Sequence, residues 1–171
     1  MELEMKSKVY IQTDDQGRIL RCEGGYTTPA DLTDWTHIDE GTGDKYNLCQ
    51  SHYFDGGLYT PDGIPRYKWD GTRALLRSDE EIENERRSIQ WKSEVEARVR
   101  LLKQKLSDTD YQAIKFSEGW FTEGEFAPMK AYRQSLRDKI NELENGGNPY
   151  MFSFGPGLTP TIVHSEEEVS E

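Results

Sequence analysis

A chain of 171 residues with 34% hydrophobic and 31% charged side chains is lean in core-forming material for one globule of its length. Its 32 acidic against 21 basic residues leave a formal charge of −11, which argues against a protein that works by neutralising nucleic-acid phosphates. No apolar run approaches the ~18 residues that cross a bilayer, and Met1-Glu2-Leu3-Glu4-Met5-Lys6 has neither the basic start nor the apolar stretch of a secretory signal. Neither a nucleic acid nor a membrane is therefore expected as a partner. Without a signal, Cys22 and Cys49 are expected to be free thiols in a reducing compartment, acting as small packing residues.

Charge and apolar period change together near residue 78. Lys8-Val9-Tyr10-Ile11-Gln12-Thr13 is β-branched and aromatic, Asp14-Asp15-Gln16-Gly17 is a turn, and Arg18-Ile19-Leu20-Arg21-Cys22 returns as a second strand. Residues 24–44 read as loop with a short strand at Thr36-His37-Ile38. Tyr46 to Phe54 reads as a further strand, followed by short runs at Leu58-Tyr59, Ile64 to Trp69 and Arg73 to Arg77. These last are separated by Pro61-Asp62-Gly63 and Asp70-Gly71, both strong hairpin signals. Residues 1–77 thus predict an antiparallel β-meander of five or six strands with a marginal core of its own.

Ser78-Asp79-Glu80-Glu81 is a capping box, and Ile82, Ile89, Val95, Val99, Leu102 and Leu106 then mark one narrow stripe on a long helix. Such a stripe suits a two-helix or coiled-coil seam, and so a possible homo-oligomer. A short helix with Tyr111, Ile114 and Phe116 follows, closed by Gly119. Thr122 to Glu125 has the form of another capping box, but Pro128 would then lie inside the helix, so the last helix is expected to start near Ala127. Its stripe is Met129, Tyr132, Leu136, Ile140 and Leu143, and Gly146-Gly147 stops it. Residues 78–147 read as a helical hairpin. Residues 148–171 carry no lysine or arginine and read as a flexible Gly/Pro-rich segment with a disordered acidic end. The fold class expected is α+β.

Catalytic patterns are scarce. Cys49-Gln50-Ser51-His52 has metal-ligand spacing, and Cys22 and His37 could complete a tetrahedron, but a zinc site ordinarily needs a second close pair. Asp39-Glu40-Gly41-Thr42-Gly43-Asp44 lacks the EF-hand pattern. No phosphate loop or nucleophile elbow stands in the chain. The expectation is a protein that is not an enzyme and carries no cofactor and no metal. The positive signal is aromatic: Trp35, Tyr46, Tyr53, Tyr67 and Trp69 on or beside strands, and Trp120 and Phe121 between the helices. Packed, they form the core of a sheet poor in Leu and Val, or close the hairpin. Exposed, they are contacts for a partner protein or a sugar ring.

Two stretches carry a resemblance. Asp34 to Tyr46, running on to Tyr53-Phe54 and Gly63 to Lys68, resembles the N-terminal half of small proteins in prophage tail modules of Gram-positive bacteria. Leu106-Ser107-Asp108-Thr109-Asp110-Tyr111 through Ala131-Tyr132-Arg133-Gln134-Ser135-Leu136-Arg137-Asp138 resembles the C-terminal segment of phage tail assembly chaperone and tail-fibre assembly proteins. There a Leu, a Thr-Asp-aromatic step and a linker precede Tyr-Arg-x-x-Leu-Arg-Asp; the family usually has Trp where Tyr111 stands, and often a shorter linker than 112–130. The resemblance spans 34–69 and 101–144. It implies a protein, made in the bacterial cytoplasm, that binds a fibre or baseplate protein, either as assembly chaperone or as a permanent tail part. The alternatives are a saccharide- or cell-surface-binding module and an inhibitor of a host defence protein. Within the motif, Thr109 and Asp110 can cap the short helix, Tyr132 and Leu136 share one helical face, and Arg137 with an aspartate is expected to clasp the hairpin.

Overall fold

The computed structural model describes residues 6–151; the expected acidic end, within 152–171, lies outside the described residues. The fold is α+β: a small antiparallel sheet followed by helices. The chain divides into two compact units, Met1–Ser88 and Ile89–Glu171.

In the first unit, strands β1 (Ser7–Thr13), β2 (Ile19–Gly24) and β3 (Thr36–Gly41) form a sheet of order β2-β1-β3. β1 is central because it alternates fully buried Val9 and Ile11 with half-buried Tyr10 and Gln12. Ile19, Cys22, Cys49 and Phe54 complete that core. The β1–β3 register shifts between Val9 and Tyr10, with Val9 opposite Asp39 and Tyr10 opposite His37, so Ile38 is an extra residue in a bulge.

The stretch expected as a strand from Tyr46 to Phe54 is instead two short helices, α1 (Asp44–Asn47) and α2 (Cys49–His52). Tyr46, Cys49 and Tyr53 are spaced by three and four residues, a helical stripe, and all three turn toward the sheet's core. Backbone contact fixes α1 there. A Cβ on Gly41 would lie 2.4 Å from the Tyr46 ring, and one on Gly25 (φ +52°) 2.5 Å from the Asn47 carbonyl oxygen. The remaining runs also pair less than expected. Tyr59 and Pro65 form one isolated bridge, and β4 (Tyr67–Trp69) and β5 (Ala74–Leu76) form a separate two-stranded sheet. The result is a three-stranded and a two-stranded sheet, not one meander of five or six.

The long helix α3 (Asp79–Asp108) starts at the capping box: the Glu81 amide donates to Ser78 Oγ at 3.2 Å and the Ser78 amide to Glu81 Oε2 at 2.9 Å. Its first turns belong to the first unit through ion pairs. Glu85 meets Arg18 Nη1 at 2.5 Å and buried Arg77 Nη2 at 2.6 Å, and Arg77 Nη1 donates to the Pro65 carbonyl at 2.7 Å.

In the second unit, the rest of α3 packs with α4 (Asp110–Ser117) and α5 (Glu123–Glu144) around Val99, Leu102, Phe126, Met129, Tyr132, Leu136, Ile140 and Leu143. α5 starts at Glu123, behind an N-cap at Thr122, about four residues before the expected site. The Glu125 amide donates to Thr122 Oγ1 and the Thr122 amide to Glu125 Oε2, so the box is real and Pro128 lies inside the helix. The box and the burial of Phe126 and Met129 offset the hydrogen bond that proline cannot make. Of the segment expected to be flexible, Asn148 to Met151 is described: Pro149 is fully buried and the Tyr150 ring meets Trp91 edge-on at 5.8 Å.

Candidate functional site

Four of the five aromatic residues expected as contacts in the β region come together. A cleft of 380 Å³ is walled by Tyr53 after α2, Tyr67 and Trp69 on β4, and Ile38 and Asp39 at the β3 bulge. Tyr46 backs it, its ring edge-on to Tyr53 at 6.2 Å. Asp39 Oδ2 accepts from both tyrosines, at 2.9 Å from Tyr53 and 3.3 Å from Tyr46. Burial first, and the neighbouring carboxylate next, raise the Tyr53 phenol well above its ordinary pKa, so the ring stays a donor. Tyr67 is fixed likewise, its hydroxyl donating to the Asp55 carbonyl at 2.7 Å and its ring 4.5 Å from Phe54.

Charge in the cleft comes in both signs. Lys45 Nζ lies 4.9 Å from the Tyr53 ring centre and Arg73 stands on the β4–β5 turn, against Asp39 and Asp55. Trp35 is not part of the cleft; it is half-buried with the Arg21 guanidinium 5.1 Å above its ring. Lys45, Arg73 and Asp39 escaped the sequence reading as a set, because the bulge and the two short helices that gather them were not foreseen.

The residues considered for zinc are dispersed in role. Cys22 and Cys49 lie together in the core, the Cys22 thiol 3.6 Å from the Cys49 carbonyl, while His37 packs on Tyr10 and His52 on the Ser51 hydroxyl. Burial raises both thiols, which keeps them protonated and poorly nucleophilic.

The helical motif is arranged around Arg133, not Arg137. Arg133 is 8% exposed. Its Nη1 donates to the Leu106 carbonyl at 3.0 Å and Thr109 Oγ1 at 2.6 Å, and its Nη2 to Asp110 Oδ1 at 2.8 Å. One guanidinium thus satisfies a last-turn carbonyl of α3 and binds the first carboxylate of α4. The Thr109 hydroxyl is turned to Leu106 O and to Arg133, so it does not cap α4 as expected. Arg137 is exposed, pointing away from the stripe that buries Tyr132 and Leu136.

The loop pair divides. Phe121 packs against the core, whereas Trp120 is 62% exposed, beside Tyr111 at 64% and Ile114 at 54%. Lys115 bridges the two exposed rings, with Nζ 4.8 Å from Tyr111 and 5.7 Å from Trp120. Large apolar side chains thus stand uncovered on α4 and the loop after it, next to a well-packed interior.

No protein-family model, curated protein or solved structure matches this chain.

Proposed function

We propose that this chain is a non-enzymatic protein of a phage or prophage tail module that binds another tail protein, fibre or baseplate, through the exposed surface of α4 and the loop that follows it. The observation that carries the reading is the uncovered group Tyr111, Ile114 and Trp120. Rigid aromatic side chains at a surface bring contact area at low entropy cost and are the usual anchors of protein interfaces. The group lies within the stretch that resembles tail assembly proteins, and Arg133 braces the start of α4 from beneath. The protein works in the bacterial cytoplasm during assembly, as helper or as tail part.

The test is quantitative mass spectrometry of purified particles from the phage or induced prophage that encodes the chain, alongside a deletion of its gene. Several copies per particle make it a tail part. Absence from particles, with tail-less or fibre-less particles on deletion, makes it an assembly chaperone. Absence together with normal particles on deletion overturns the proposal.

A further inference from the structure

We infer that the tyrosine-walled cleft of the first unit is a binding site for a short neutral saccharide, separate from the protein-docking surface on α4. Four observations carry this. The cleft holds 380 Å³, at the small end of the ~300–1,000 Å³ typical of ligand sites and too small for a folded partner. Aromatic rings line it, Tyr53, Tyr67 and Trp69, with Lys45 over the Tyr53 ring and Arg66 over that of Tyr67, and aromatic surface suits the C–H face of a sugar ring.

Those rings are fixed before any ligand arrives. Asp39 holds the Tyr53 hydroxyl, the Asp55 carbonyl holds that of Tyr67, and Phe54 packs between the two rings at 5.1 and 4.5 Å. A site already in its bound geometry loses little freedom on binding.

Charge selects the class of ligand. Lys45 and Arg73 are matched by Asp39 and Asp55 around the cleft, so no net local field draws an anion, and a molecule of charge −11 repels one at longer range. Nucleotides, phosphates and acidic glycans are thereby disfavoured. Carboxylates, a guanidinium and the Thr72 hydroxyl around an aromatic floor offer both acceptors and donors to neutral hydroxyls.

The experiment follows the four tryptophan indole N–H signals of the full chain by NMR during titration with maltotriose, cellotriose and tri-N-acetylchitotriose, and with sialyllactose as the charged comparison. A saturable shift of the Trp69 signal with at least one neutral trisaccharide, without one at Trp35 or Trp120, is expected. Arg73 is on an exposed turn, so Arg73→Ala should keep the fold and weaken binding several-fold. No saturable shift with any neutral probe, binding of sialyllactose alone, shifts centred on Trp35 or Trp120, or unchanged affinity in Arg73→Ala would each overturn the inference.

Discussion

An arginine is costly to bury unless its donors find acceptors, and Arg133 finds three: a carbonyl, a hydroxyl and a carboxylate. Arg133→Ala removes all three contacts, leaving the Leu106 carbonyl to the Thr109 amide and hydroxyl and loosening Asp110, and is predicted to destabilise the second unit by about 3 kcal/mol in urea unfolding. Arg137→Ala, at an exposed position, should stay within about 0.5 kcal/mol; equal losses at both positions would contradict the assignment. The sequence contained the clue. Positions 126, 129, 133, 136, 140 and 143 step by three and four, which puts Arg133 inside the apolar stripe and Arg137 outside it. A rule of opposite charges at helical spacing cannot separate the two; the phase of the stripe can. Trp120 and Phe121 are harder, because adjacent loop residues point apart for reasons of local backbone geometry that composition does not carry.

The ends of the elements follow from capping more reliably than from proline. Thr122 and Glu125 form their box despite Pro128, and Pro128 is exposed. Pro128→Ala restores a donor toward the Gly124 carbonyl without removing any packing, and should stabilise the chain by about 2 kcal/mol after allowing for a freer unfolded state; a lower melting temperature would contradict this. The start of α3 makes a pH prediction. Hydrogen bonding from Lys68 Nζ, then from the Ser78 amide, holds the Glu81 carboxyl down at about 2 from an ordinary 4.5. A lowered folded pKa means the contribution is complete above pH 4.5 and is lost as pH falls toward 2. Asp62, held down by Arg86, acts with the same sign. Amide exchange in the first turn of α3 should therefore speed up relative to mid-helix across that window, and Glu81→Gln should flatten the change; a profile identical to the parent would count against the Lys68–Glu81 contact. Element type was legible wherever a strong period had one reading, as in β1, β2, α3 and α5. It failed from Tyr46 to Phe54, where aromatic residues raise strand propensity while their three-and-four spacing is helical, and packing against the sheet decided for helix.

At the scale of the whole molecule, 34% hydrophobic residues are enough because they are spent on two small cores, one around Val9 and Ile11 and one around Leu136 and Leu143. Class and element order were readable from periodicity; the grouping of Asp39, Lys45, Tyr53 and Arg73 was not, since a bulge, two single-turn helices and a tight turn assemble it from distant positions. The same limit applies to the α4 surface, where the sequence supplies aromatic residues but not which of them the core consumes. Leu136→Ala, at a fully buried position, should cost roughly 2–5 kcal/mol, whereas changes on the α4 surface should leave stability nearly intact and still abolish function. The most direct test of the proposed tail role is complementation: the gene deleted from the genome that encodes it, and phage particle titre restored by the parent chain or by the Tyr111→Ala/Trp120→Ala double variant. The account predicts restoration by the parent and failure of a double variant whose melting temperature is unchanged. Full restoration by the double variant would contradict it.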